Sequence, residues 1–111
     1  MMNFNFNKTV IEMEICDEPY IMTIDMKTVI HYKKINKKSF LSALQGIGDL
    51  DEVEVIKLLA SMIRKDEKSN PVGIDFFKGF NPIVVVSSFM PSILTCMGEN
   101  LPEAENEEEK K

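Results

Sequence analysis

Residues 10–16, VIEMEIC, alternate strictly: Ile11, Met13 and Ile15 share one side, and Glu12 and Glu14 the other. Successive side chains of a strand point to opposite faces, so this period makes one face apolar and the other charged, the pattern of a half-buried β-strand. Asp17, Glu18 and Pro19 supply turn chemistry, after which Tyr20, Met22 and Ile24 resume the alternation. The spacing predicts a β-hairpin over residues 10–25. A two-stranded hairpin is marginal alone, so its apolar face must be covered by the rest of the chain.

Beyond the hairpin the pattern turns helical. Asp25 is placed to cap a helix from Met26, with Met26, Val29, Ile30 and Tyr32 inward and Lys27, His31 and Lys34 outward. Ser39 offers a second cap, opening a short helix with Phe40, Leu41 and Leu44 inward and ending at the Gly46 to Gly48 turn; one bent helix fits this stretch as well as two short ones. Asp49 and Asp51 each have a glutamate three residues on, which gives two overlapping capping boxes. Behind them Val55, Ile56, Leu58, Leu59, Met62 and Ile63 fill one arc of a helix, and Glu54, Lys57, Ser61 and Arg64 the opposite one. Residues 65–70 end that helix, residues 71–73 form a loop, and IDFFKGF at residues 74–80 predicts a short helix or aromatic turn.

Residues 81–100, NPIVVVSSFMPSILTCMGEN, are nearly free of charge. The run is too short and too rich in hydroxyls to span a bilayer, which needs about 20 mostly apolar residues. Pro91 would break a strand ladder. As a helix the stretch is consistent: Asn81 caps, Pro82 takes the first helical position, Gly98 closes the end, and Pro91 is expected to kink it. Ile83, Val86, Phe89, Met90, Ile93, Leu94 and Met97 then sweep one face, with Ser88, Ser92 and Thr95 opposite. That face, with Phe76, Phe77 and Phe80, is the candidate partner-binding surface. Its apolar side chains are destined either for this chain's own core or for a second protein.

The expected fold is therefore α+β: a two-stranded N-terminal hairpin followed by a small bundle of about four helices, in a single domain over residues 1–98. Its 111 residues suit one core. From residue 99 onward there are six glutamates and two lysines, a charge of −4 out of the chain's −5, so residues 1–98 carry only −1. Residues 99–111 are expected to be a disordered acidic tail.

Several chemistries lack their residues. Two cysteines, Cys16 and Cys96, stand far apart, which indicates neither a disulfide framework nor a metal site and suits a reducing cytoplasm. The N-terminus has no signal-peptide pattern. The one histidine, His31, stands among lysines with no triad partners in sequence, and the glycines of QGIGDL are followed by acids rather than by the lysine and hydroxyl of a phosphate loop. No catalytic residue, cofactor or metal ligand is expected. The five lysines of residues 27–38, with Tyr32 among them, carry the alternative reading of a small nucleic-acid-binding regulator, against which stand the acidic net charge and the absence of arginine there.

The order of parts, from VIEMEICDEPYIMTID through DLDEVEVIKLLASMIRK to MGENLPEAENEEEKK, resembles the tail assembly chaperones of long-tailed bacteriophages and related prophages. The resemblance implies a small cytoplasmic protein of the bacterial host cell that catalyses nothing. Such a protein binds the long apolar tape-measure protein and helps recruit tail-tube subunits, in some cases as a homo-oligomer. It also implies that Lys110 and Lys111 lie at a site of ribosomal frameshifting that appends a second domain. Eight methionines suit an adaptable binding surface, although such side chains also fill irregular cores.

Overall fold

The computed structural model describes residues 2, 4 and 7–100, with the side chains of residues 99 and 100 excepted. Strands β1 (Val10–Ile15) and β2 (Glu18–Thr23) form the expected hairpin, with Ile11 opposite Met22 and Met13 opposite Tyr20. Ile11, Met13, Tyr20 and Met22 therefore share the face turned to the core. The turn is tighter than its composition suggests. Ile15 pairs with Glu18, so the loop is Cys16 and Asp17 alone, and both adopt left-handed backbone, with φ of 52° and 67°.

Positive φ at both central residues defines a type I′ turn, the form whose twist matches that of paired strands. Neither residue is the glycine or asparagine that tolerates this region best. Asp17→Gly is accordingly expected to raise stability by roughly 0.5–1 kcal/mol, seen as a higher urea midpoint at unchanged m-value. Glu18 and Pro19, read as turn residues from the sequence, belong to β2 instead.

A third strand, β3 (Ile63–Arg64), pairs antiparallel with β2 and makes the sheet order β1-β2-β3. Helices α1 (Met26–Asn36), α2 (Phe40–Gln45), α3 (Glu52–Met62) and α4 (Pro82–Asn100) complete the α+β fold, with short 3-10 turns at Ile47–Asp49 and Ile74–Phe77. Residues 26–45 are thus two helices, separated at Lys37, whose φ is 55°. Four side chains start the helices as the sequence indicates. Asp25 accepts from the Thr28 amide, Ser39 from Ser42, Asp51 from Glu54, and Asn81 from Ile83 and Val84.

The rotation of α1 differs from expectation. Met26, Val29 and Ile30 are exposed, whereas Thr28 and Tyr32 are buried and His31 is half-buried. The reason is polar. Thr28 completes a reciprocal capping box with Asp25 and also donates its hydroxyl to the Thr23 carbonyl at 3.1 Å, so the start of the helix is bolted to the end of β2 with Thr28 facing inward. In α2, Phe40 and Leu44 go inward as expected, but Leu41 stays in solvent.

Helix α3 is the centre of the molecule. Val55, Leu58, Leu59, Ala60, Ser61 and Met62 are all buried, and α3 touches α1, α2, α4, β3 and the Ile74–Phe77 turn. Its expected outer arc is therefore largely an inner one. Ser61 is buried, and Glu54 and Lys57 are half-buried against α1, where Asn36 donates to Glu54 at 2.9 Å and to the Tyr32 hydroxyl at 2.6 Å while Lys57 donates to Asn36 at 3.0 Å.

Arg64 departs furthest. The sequence places it on a solvated helix face, yet the helix stops at Met62 and Arg64 is 0% exposed in β3. Both terminal nitrogens of its guanidinium donate to the Asp25 carboxylate, while its Nε has no acceptor. Lys8 bridges from Asp25 to Glu67, 3.2 Å and 3.1 Å away. One polar cluster thereby joins the chain before β1, the cap of α1, and β3.

Beyond β3 the chain is tied back by amides. Val72 donates to Ile63 and Gly73 to Ala60, at 2.9 Å and 3.1 Å, and Gly73 has a φ of 83°, a region that favours glycine. Helix α4 passes through Pro91 and Gly98 without interruption to Asn100. Residues 101–111, where a disordered tail and the frameshift lysines are expected, lie outside the described residues.

Candidate functional site

The aromatic segment ahead of α4 is held by ring packing. Phe76, Phe77 and Phe80 meet pairwise edge-on at centroid distances of 5.1 to 5.9 Å, and Tyr20 of β2 meets Phe76 at 5.2 Å. Such T-shaped contacts set the positive edge of one ring against the negative face of the next. They fix the approach of α4 to α3. Between α3 and the segment leading into α4 a groove of about 400 Å³ opens, lined by Val53, Ile56, Ile74, Phe77, Phe80 and Pro82, with Lys57, Asp75 and Lys78 as its charged groups.

Burial divides the ten expected partner-binding residues. Phe77 and Ile93 are buried, and Phe76, Phe80, Val86, Phe89, Met90 and Met97 are half-buried against the core. Only Ile83 and Leu94 stand in solvent, at 65% and 49% exposure. The core face of α4 instead runs through Val85, Ile93 and Cys96. In an uncharged helix a rotation of this size replaces apolar side chains by others, so the sequence carries little signal of the phase.

The rotation leaves an apolar surface of different membership. Ile83, Val84, Val53 and Ile74 are exposed, the first three at 65%, 57% and 60%, and Pro82, the first residue of α4, lines the groove beside them. Val84, Val53 and Ile74 escape the sequence reading. Val53 carries a detectable signal: it falls outside the apolar arc of α3, yet it is not polar. A second set of exposed apolar side chains, Met26, Val29 and Ile30, results from the rotation of α1, and Val29 lines a smaller pocket with Ile24, Phe40 and the exposed Leu41 of α2.

His31 is not a free surface histidine. Its Nδ1 lies 2.8 Å from the Ser61 hydroxyl, which in turn donates to the Lys57 carbonyl at 3.1 Å. A hydroxyl has a single proton, so Ser61 can donate to only one of these two groups, and the tautomer of His31 sets the direction of their contact. Ser61 is itself fully buried. Burial, and then the nearby Lys34 charge, hold the imidazole below its ordinary pKa, which favours the neutral form.

The lysine segment is divided. Lys27 donates to the Lys68 carbonyl at 2.8 Å, while Lys33, Lys34, Lys37 and Lys38 are exposed. Tyr32, the aromatic among them, is fully buried and offers no stacking face to a base. Among the described residues no group of three His, Cys, Asp or Glu side chains is placed to hold a metal ion, and no helix is long and apolar enough to cross a membrane. Comparison with protein-family models, curated proteins and solved structures matches the chain to none of them.

Proposed function

We propose that the protein is a binding module without catalysis that holds an apolar helical segment of another protein, in the manner of a phage or prophage tail assembly chaperone. The observation that supports this is the groove between α3 and the segment leading into α4, an apolar trough lined by Val53, Ile74 and Pro82, together with Ile83 and Val84, which stand exposed on the first turn of α4 beside Pro82. Apolar helices dock into such troughs through side chains spaced one turn apart, while a rim of mixed charge keeps the free surface soluble. Here Lys57, Asp75 and Lys78 form that rim. The proposed partner is the tape-measure protein, met in the cytoplasm of a bacterial host, with tail-tube subunits recruited to the complex and a homo-oligomer as the working form.

The test is aggregation. A tape-measure segment encoded beside this chain, diluted from denaturant, is expected to stay clear in light scattering when the protein is present at equimolar concentration. Ile83→Asp/Val84→Asp is expected to remove at least ten-fold of that protection while leaving the far-UV spectrum unchanged, since an unpaired carboxylate forced into an apolar contact costs several kcal/mol and these side chains stand in solvent in the free fold. Aggregation undiminished by the wild-type protein would defeat the proposal.

A further inference from the structure

The hairpin presents a second, unrelated surface. In the sheet order β1-β2-β3, β1 is the longer of the two edge strands, and among the described residues no turn, cap or loop makes a backbone hydrogen bond to Val10–Ile15 from the open side. The register tells which backbone groups are left over. A two-residue turn closes with the carbonyl of its first residue accepting from the amide of its fourth, so Ile15 and Glu18 are a hydrogen-bonded pair. Hydrogen-bonded and non-bonded pairs alternate along an antiparallel ladder, so Met13–Tyr20 and Ile11–Met22 are bonded too. The amides and carbonyls of Val10, Glu12 and Glu14 therefore point away from β2 into the open. Pro19, opposite Glu14, fits this phase, because a non-bonded pair asks for no N–H toward β1.

The two central residues with free backbone groups also carry the carboxylates. Glu12 and Glu14 are exposed on the outer face, and neither has a hydrogen-bond or ion-pair partner among the described residues. A strand added along this edge would set two of its side chains, two residues apart, directly opposite them. A second copy of β1 would bring glutamate against glutamate, and residues 103–109 of this chain, EAENEEE, would do the same. Like charges directly opposite destabilise a ladder, whereas opposite charges stabilise it. Inward-facing positions of an added strand fall on the side of Ile11, Met13 and Ile15, where α4 packs against β1, and so call for apolar residues.

We infer that the free edge of β1 docks an extended cationic segment of another protein, which joins the sheet as a fourth strand with lysine or arginine at alternate positions opposite Glu12 and Glu14 and apolar residues between them. Main-chain hydrogen bonds supply affinity in such strand addition, and the alternating side chains supply selectivity. The same carboxylates guard the edge against self-pairing. None of the residues involved lines the groove between α3 and the segment leading into α4, so the two surfaces stand or fall separately.

The probe is an acetylated, amidated Lys-Val-Lys-Val-Lys-Val peptide titrated into the full chain, read by amide hydrogen exchange and by fluorescence anisotropy of a labelled copy. Saturable binding is expected, with slower exchange at Val10, Glu12 and Glu14 and affinity at least ten-fold above that of the Glu-Val-Glu-Val-Glu-Val peptide. Glu12→Lys/Glu14→Lys is expected to reverse that order. A Lys-Val peptide N-methylated on the amides that face the edge should bind at least ten-fold more weakly to the unaltered protein, a result independent of how the variant folds. Equal binding of the N-methylated peptide, absence of binding at millimolar concentration, or protection of those amides in the protein alone as its concentration rises would each overturn the inference, the last by showing a second copy on the edge.

Discussion

Asp25→Asn is expected to destabilise the protein by about 3 kcal/mol, the lower end of the range for removing one partner of a buried ion pair, because Arg64 is fully buried while the Asp25 side chain keeps 21% exposure. Asparagine still caps α1, so the loss isolates the charge. Asp25→Ala should lose about 1 kcal/mol more, from the cap itself. Arg64 is 0% exposed, both its terminal nitrogens are spent on Asp25, and its Nε already lacks an acceptor, so no second site inside the fold takes over the charge. Replacing both residues, as Asp25→Asn/Arg64→Met, should recover most of the loss, because an apolar side chain of similar length needs no partner there. A double variant as unstable as Asp25→Asn alone would show that the pair is not the cause.

The same pair makes stability depend on acid. The Arg64 guanidinium holds the Asp25 carboxyl well below its ordinary value of 3.8, with help from Lys8 and the Thr28 amide and against the opposing effect of burial. A folded-state pKa below the unfolded one means that the unfolded chain binds the proton first as pH falls. The contribution is therefore complete above the ordinary carboxylate range and drains away below it, toward the folded-state value. Urea midpoints taken from about pH 6 down to about pH 2 should fall more steeply for the wild type than for Asp25→Asn. Parallel curves would contradict this assignment.

Leu58→Ala is the second large effect, expected at about 2–5 kcal/mol and in the upper part of that range. The size of such a loss depends on how far the surroundings collapse into the space left. Leu58 is fully buried in the middle of α3, whose neighbours are held on one side by the network of Asn36, Glu54 and Lys57 and on the other by the aromatic turn before α4. Neither can move inward without breaking polar or ring contacts. For a domain stable by about 5–15 kcal/mol the loss is a large fraction of the total, and it should lower the thermal midpoint without altering the unfolding cooperativity. A loss under about 1 kcal/mol would mean that α3 is not the close-packed centre of the fold.

The hairpin was legible because its two faces differ in kind, acids against aliphatics, so a single register satisfies both strands. The four helix starts were legible for a similar reason: capping is local chemistry, complete within three residues of Asp25, Ser39, Asp51 and Asn81. What failed was the rotation of α1 and α4 about their axes. In α1 three apolar residues lost the interior to Thr28, whose hydroxyl finds its acceptor on Thr23. In α4 every candidate face is uncharged, so packing with α3 decides the phase and pattern cannot.

Arg64 was illegible for a different reason, since the carboxylate that makes its burial tolerable lies 39 residues away in sequence. The expected interaction surface suffered from the same blindness to phase. Its aromatic and methionine side chains are mostly spent on the core, and the residues left outside, Val53, Ile74, Ile83 and Val84, are ones whose exposure depends on tertiary packing.

Calorimetric titration of a tape-measure segment into the protein at several temperatures tests the proposed function most directly. Burial of apolar surface in the groove beside α3 and on the exposed first turn of α4 predicts saturable binding with a negative heat-capacity change, and Val53→Asp or Ile83→Asp should weaken it at least ten-fold while the urea midpoint stays in place. Binding that is unchanged by both substitutions, or that shows no heat-capacity change, would contradict the assignment of that groove as the partner-binding surface.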